Sequence, residues 1–294
     1  MKNPIKYMIL AGAGMLLLPL GITVLLSGKE AVSIQKQMDM EVYLPMLLCQ
    51  EIPWEYEEEM LKAQAVLARS SLYFCLENGN TDHEELKNRW EQFQGKAEKE
   101  AYRKAYRRME KAVKLTRGQV MVYQGEICRG VFHRVSSGYT RDGMEVLQDT
   151  GMSFLKSVES SADIRSEDYL HGHYFTEESL RKRIQETYPD IKLTEKSLIE
   201  QMKVEKRDSQ EFVLEIRIGE KIVTGEEFRE KLGLSSSNFT IQDIDGKIRF
   251  LCKGLGHGLG LSQYGGNELA KKGKSYQQIL FTYFPDVALK KKSV

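Results

Sequence analysis

Phe239-Thr-Ile-Gln-Asp-Ile-Asp245-Gly246-Lys-Ile-Arg-Phe-Leu251-Cys-Lys-Gly254-Leu-Gly-His257-Gly-Leu-Gly260-Leu-Ser262-Gln263-Tyr264-Gly-Gly266 joins two signals in one stretch. Phe239 to Leu251 alternates on both sides of Asp245-Gly246, which predicts an antiparallel hairpin closed by a tight turn. The hairpin delivers the chain into a run with six glycines in thirteen positions, whose polar side chains are one His, one Ser, one Gln and one Tyr. Glycine permits positive φ and close backbone approach at an entropic cost, so the run reads as a surface for something to lie against. It fits no common phosphate loop. The residues three beyond Gly256, Gly258 and Gly260 are Leu259, Leu261 and Gln263, so no Gly-x-Gly-x-x-Gly exists, and no Gly-Lys-Ser/Thr follows. Gly260-Leu-Ser262-Gln-Tyr264 lacks the second glycine of a nucleophile elbow.

Outward from this stretch the chain alternates helical and extended texture. Leu61, Ala65, Ala68, Leu72 and Leu76 form the stripe of an amphipathic helix over 56–76, ended by Asn78-Gly79-Asn80. Residues 82–112 read as a solvated helical hairpin inserted in the domain, because mixed charge at this density marks a wet face. Strands follow from Gly118, at Val120 to Tyr123 and Ile127 to Phe132, around a Gln124-Gly125 turn. Thr176 to Tyr188 reads as a helix, Phe212 to Val223 as a hairpin turning at Gly219-Glu220, and Thr224-x-x-Glu227 as a capping box opening a short helix. The expected fold is α+β, with mainly antiparallel strands and segregated helices.

The 43 Lys plus Arg against 42 Asp plus Glu leave a net charge of +1, and no basic stripe with interleaved aromatics occurs, so nucleic acid is excluded as a partner. Cys49, Cys75, Cys128 and Cys252 are scattered without zinc-type spacing and read as small buried hydrophobes, with a disulfide left open. Met8 to Ser27 is an uncharged run preceded by Lys2 and Lys6, long enough for a helix across a hydrocarbon core of roughly 30 Å. That predicts residues 1–7 as a cytoplasmic tail, 8–27 as a transmembrane signal anchor and 28–40 as a linker, with a single-pass chain working at the outer side of the cell membrane. A cleaved signal peptide is the alternative. The remainder suits one domain over 41–288 and a basic tail over 289–294.

Four groups of residues carry a family resemblance: Glu51-Ile-Pro53; Leu61-Lys-Ala-Gln64-Ala-Val-Leu-Ala-Arg69-Ser; Phe132-His133 with Ser136-Ser137-Gly138; and Gly256-His257-Gly-Leu-Gly-Leu-Ser262-Gln263-Tyr264-Gly265. The chain resembles the stage II sporulation protein D family and the related LytB-type amidase enhancers, from about Val42 to about Pro285. The resemblance implies a lytic transglycosylase that cuts MurNAc-GlcNAc bonds of peptidoglycan strands stripped of stem peptides, in wall remodelling and engulfment during sporulation. It also implies two partners, the amidase stage II sporulation protein P and the membrane protein stage II sporulation protein M. Glu51 matches the family's catalytic glutamate.

The chemistry needs one carboxyl group. It protonates the leaving oxygen, then takes the proton of the muramic C6 hydroxyl as that oxygen closes onto C1, so no activated water and no second carboxylate are required. Such an acid must be protonated near neutral pH, which calls for burial among apolar groups. Leu47, Leu48, Ile52, Pro53 and Trp54 supply those around Glu51. Gln64 and Arg69, five apart on one helix, face different ways; each is a candidate for glycan contact or for internal packing and pairing. Ser136, Ser137 and Thr140 offer hydroxyls to glycan or to their own turn. His257, Ser262, Gln263 and Tyr264 are candidates for the cleft wall, with Tyr264 able to stack on a sugar.

No cofactor is expected. Some members of the family carry zinc on a His and on nearby Cys and His; here His133 is kept, while Tyr139, Met144 and Glu145 stand where the other ligands would be, so no metal is expected. His171-Gly-His173 alone is weak evidence for one. Two rival readings remain: a non-catalytic protein holding glycan for an amidase, and a serine hydrolase using His257 and Ser262.

Overall fold

The structure is a computed structural model, and it describes residues 39–94 and 100–292. Helix α1 (Leu44–Glu51) stops where Pro53 forbids a helical conformation to the residue before it, and Ile52 is extended at φ −137°, ψ 144°. Glu51 is therefore the last residue of a helix. α2 (Glu58–Glu77) opens with Glu58 and Glu59 in its first turn, favourable to the helix dipole, and buries an alanine-rich middle from Ala63 to Ala68. α3 (His83–Gln94) and α4 (Glu100–Leu115) form the charged hairpin. Its seam is aromatic, with the Phe93 ring centroid 6.0 Å from Trp90, 6.2 Å from Tyr102 and 6.1 Å from Tyr106.

β1 (Gln119–Tyr123) and β2 (Glu126–Ile127) turn at Gln124-Gly125, and two further short elements follow, β3 (Phe132–His133) and α5 (Gly143–Leu147). β4 (Leu170–Thr176) runs into α6 (Glu177–Thr187), capped by Thr176, then α7 (Leu198–Gln201). β5 (Met202–Arg207), β6 (Val213–Ile218) and β7 (Lys221–Thr224) make an antiparallel sheet, and Thr224 caps α8 (Gly225–Leu232). β8 (Phe239–Ile244) and β9 (Lys247–Lys253) are the hairpin read from sequence, turning at Asp245 (φ 51°) and Gly246 (φ 73°). β10 (Leu261–Ser262), α9 (Gln263–Lys271), α10 (Tyr276–Tyr283) and β11 (Ala288–Lys291) complete the domain.

Two cores result. In one, α2 is the central element, packed against α1, α4, α9, α10 and β1. In the other, Leu180, Ile184, Ile216, Ile218, Phe228, Phe239 and Phe250 are buried between α6, α8 and the strands of residues 202–253, with the Phe239 and Phe250 rings 5.6 Å apart. β4 adds to β9 antiparallel, and β10 lies parallel to β3, with Leu261 beside Phe132 and Ser262 beside His133.

Three expectations are corrected. The fold class included an N-terminal transmembrane helix, but among the described residues no helix is long and apolar enough to cross a membrane; the 20-residue α2 carries Glu58, Glu59, Lys62, Arg69 and Glu77. The predicted anchor, Met8 to Ser27, lies outside the described residues. The tail predicted over 289–294 is not a tail up to Lys291, because Lys290 and Lys291 pair with Val120 and Gln119 of β1. The strand expected over Ile127 to Phe132 is broken, since only Glu126–Ile127 and Phe132–His133 are paired.

Arg69 ties the first core together. Its guanidinium, fully buried, meets Glu41 at 2.6 and 2.8 Å and donates to the carbonyls of Val113 (3.1 Å) and Gln119 (3.2 Å). Removing Arg69 leaves the buried Glu41 charge with the Gly118 amide at 3.2 Å but without its cation. Arg69→Ala is expected to cost about 3–5 kcal/mol of stability in guanidinium denaturation.

Candidate active site

Glu51 sits in a cleft of about 370 Å³. α1 and α2 contribute Leu47, Ala68, Ser71, Leu72 and Cys75 to its walls; Thr81, Glu85, Leu86 and Arg89 come from the start of the charged hairpin; Arg129, Gly130 and Phe132 come from the segment entering β3. The size matches that of small-molecule sites. Two further depressions adjoin it. One shares Arg89 and adds Cys49, Gln50, Gln92, Phe93 and Tyr102; the other shares Arg129, Gly130 and Phe132 and reaches Leu147, Leu155 and His257. An extended polymer is the kind of ligand that such a series can hold.

The Glu51 carboxyl is half-buried, and burial among the apolar walls pushes its pKa from an ordinary 4.5 up to about 7. Its place at a helix C-terminus works in the same direction, because the negative end of the helix dipole disfavours an anion. Two effects oppose these: Gln64 Nε2 donates to Glu51 Oε2 at 3.0 Å, and the positive field of Arg89 favours ionisation. Gln263 fixes the other side. Its Nε2 donates to the Glu51 carbonyl at 2.9 Å and to Gln64 Oε1 at 3.3 Å, so three residues from three motifs form one chain of hydrogen bonds. Among the described residues, Oε1 of Glu51 receives no hydrogen bond from the protein, which leaves that oxygen for a ligand.

The other candidate residues fall into two groups. His257 lines the adjoining depression, whereas Ser137 and Tyr264 are half-buried and line none of these three cavities. Arg69, Ser136, Thr140 and Ser262, like Gln64 and Gln263, are fully buried, and each is bonded within the chain. Arg69 pairs with Glu41. Thr140 Oγ1 donates to the Lys156 carbonyl at 2.9 Å and accepts from Val158 N at 2.8 Å. Ser136 and Ser262 both donate to Asp163, the first through a short bond and the second at 3.0 Å, and Ser136 N adds a third bond at 2.9 Å. The serine hydrolase reading fails on the same geometry: the proton acceptor of Ser262 is Asp163, and His257 Nδ1 accepts from the Leu259 amide at 3.1 Å.

The glycine run is also corrected. What lies against it is the chain itself. At Gly260 (φ 71°) a Cβ would stand 2.2 Å from the Val131 carbonyl oxygen, and at Gly254 (φ 79°) one would stand 2.7 Å from that of Val135. The glycines let the C-terminal motif press onto residues 131–141, and His257 and Leu259 of the run line the adjoining depression.

For metal binding the donors do not fit. Among the described residues no three His, Cys, Asp or Glu side chains gather to hold an ion. His133 Nδ1 donates to the Leu259 carbonyl at 3.0 Å, and burial lowers its pKa to about 4, so the ring is neutral with an unpartnered Nε2. Near it, Tyr139 and Met144 are exposed side chains without a thiolate or imidazole, and Glu145 is bound to Ser209. His171 and His173 are engaged by Asp168 and Ser235. The four cysteines are free thiols, and burial raises Cys49 to about 11 and Cys128 to about 12, which makes them inert.

Sequence reasoning missed three contributors. Asp163 lies in a region with no motif. Arg89 belongs to the segment read as a purely solvated face. Arg129, three residues before Phe132, was within reach of a recognised motif, and its position there was the available signal. The pKa of Glu51 has a measurable consequence for stability. The folded chain keeps this proton up to about pH 7, while the unfolded chain loses it near 4.5, so the stability favouring the fold is intact below 4.5 and declines as pH rises through 7. Glu51→Gln carries no such dependence and, allowing for partial exposure, is expected to gain about 1–2 kcal/mol on the wild type between pH 4 and pH 8 in urea denaturation.

Residues 28–123 match the family model described as stage II sporulation protein. The chain is 28% identical over 263 residues to stage II sporulation protein D of Bacillus amyloliquefaciens, covering 86% of this chain and 74% of that protein. It is 28% identical over 280 residues to the protein of the same name from Bacillus subtilis (strain 168), covering 90% and 78%. An uncharacterized protein of Brachyspira hyodysenteriae is 27% identical over 88% of this chain. With the family model matching its N-terminal part and these similarities along nearly all of its length, the chain is similar to stage II sporulation protein D.

Proposed function

We propose that the chain is a lytic transglycosylase of peptidoglycan, cutting MurNAc-GlcNAc bonds in glycan strands whose stem peptides an amidase has removed. The observation that carries this reading is a single half-buried carboxyl group with a pKa of about 7, held by two glutamine amides in a cleft that continues on both sides. Protonated Glu51 gives its proton to the glycosidic oxygen as the bond to C1 breaks. The carboxylate then accepts the proton of the C6 hydroxyl as that oxygen bonds to C1, which restores the acid and consumes no water. The products are a 1,6-anhydro-muramic end and a new GlcNAc end. Glu85, the other carboxylate lining the cleft, is exposed and holds the Thr81 hydroxyl at 3.0 Å, so it is no match for the buried acid. A wall substrate places the working domain outside the cytoplasm, beside an amidase such as stage II sporulation protein P and the membrane protein stage II sporulation protein M.

Mass spectrometry of stripped strands incubated with the full chain tests the reading. Anhydro-muramic ends are expected, lost by at least 10³-fold in Glu51→Gln. Reducing ends would mean hydrolysis, and strands bound but uncut would mean a glycan-holding amidase enhancer.

The pH profile gives a second test. Because the acid must start protonated, kcat/KM is expected to fall tenfold per pH unit above about 7. Gln64→Met removes a hydrogen bond that favours the ionised form, so the falling limb should move to higher pH.

A further inference from the structure

The two arginines that flank Glu51 stand at the junctions between the central cleft and its neighbours. Arg89, from α3, lines the Glu51 cleft and the depression of Gln50, Phe93 and Tyr102; Arg129 lines the Glu51 cleft and the depression of His257. Both side chains are exposed. Among the described residues neither forms an ion pair, Arg129 makes no side-chain hydrogen bond, and the hydrogen bond of Arg89 is a long one, 3.4 Å to Gln50 Oε1. Elsewhere Arg69, Arg141 and Arg217 are matched to carboxylates. A guanidinium is a planar fork suited to bidentate binding of a carboxylate, and an unmatched one on each side of a candidate catalytic acid calls for anions in the ligand.

A glycan of N-acetylated sugars has one group that can answer. The lactyl ether on each muramic residue ends in a carboxyl that is an uncharged amide while a stem peptide is attached and a free carboxylate once it is removed. We propose that Arg89 and Arg129 are the specificity-determining residues of this cleft, binding lactyl carboxylates of muramic residues on the two sides of the cut. The inference rests on the transglycosylase reading above. It assigns the recognition of stripped strands to charge as well as to the room left by the missing peptide.

The test uses the full chain, stripped strands, and the same strands with their lactyl carboxylates converted to methylamides by a carbodiimide and methylamine. Anhydro-muramic ends are counted at pH 6, where Glu51 is protonated, and binding is measured separately by anisotropy of end-labelled strands. For the wild type, methylamidation is expected to raise both KM and Kd about tenfold or more. Arg89→Gln and Arg129→Gln should each raise KM about tenfold on stripped strands with kcat within about threefold, and should lose most of the methylamidation penalty; the lysine variants should recover part of the affinity. Glutamine variants that keep the full wild-type penalty would overturn the proposal. If Glu51→Gln still abolished anhydro ends in that case, the function reading would stand alone. If instead no anhydro ends formed with any protein, the anisotropy series would still decide whether the arginines read the carboxylate.

Discussion

The side-chain amide of Gln263 is the constraint on which the site depends. It bonds to the Glu51 carbonyl and to Gln64, which in turn bonds to the Glu51 carboxyl, so the end of α1, the middle of α2 and the start of α9 are held in one register. Gln263 is placed by its neighbour Ser262, which caps α9 through Gly265 N and reaches Asp163. Asp163 collects Ser136 as well, so two motifs distant in sequence converge on one carboxylate. Asp163 has a raised pKa through burial, opposed by the hydrogen bonds from these serines. The motif residues therefore divide between the Glu51 carboxyl and the framework that sets its surroundings.

Electrostatics in the framework and in the cleft follow opposite rules. In the framework, charges are matched within the chain: Arg69 with Glu41, and Arg141 with Asp208 at 2.5 Å while it also lies over the Phe212 ring. In the cleft, Glu51 is held near neutrality by burial and the arginines face solvent without carboxylates. Matched charges stabilise a fixed geometry, and unmatched ones hold interaction energy in reserve for a ligand.

Sequence reading was most effective where the determinant is local. The Asp245-Gly246 hairpin, the helix after Tyr56 and the cap at Thr224 each depend on neighbours within a few residues, and the structure has them. β4 was not legible, because its partner β9 lies about eighty residues on; His171 and His173 drew attention as possible ligands and are residues of a strand facing Cys252 and Phe250. The glycine run shows a different limit. Glycines announce that something approaches the backbone closely, but not whether it is a ligand or residues 131–141 of the same chain. From sequence Arg69 reads equally as a contact for glycan or as half of an ion pair, and only the position of Glu41 decides it. Glu51 was legible through its motif, whereas the arginines beside it come from segments whose meeting depends on the whole fold.

The short parallel pairing of Leu261 and Ser262 with Phe132 and His133 ties the last motif to the middle of the chain. Contacts that span well over a hundred residues carry a high loop-closure cost and form late. During synthesis α1 and α2 emerge first, with Glu51 exposed to water and near its ordinary acidity. Gln263 has not yet been made, and β3 has no neighbour. The walls that bury Glu51 come from residues 47–132, whereas the amide that fixes its carbonyl waits for Gln263. The hydrogen-bonded chain from Gln263 through Gln64 to Glu51 thus closes only once a motif 212 residues beyond the glutamate is in place.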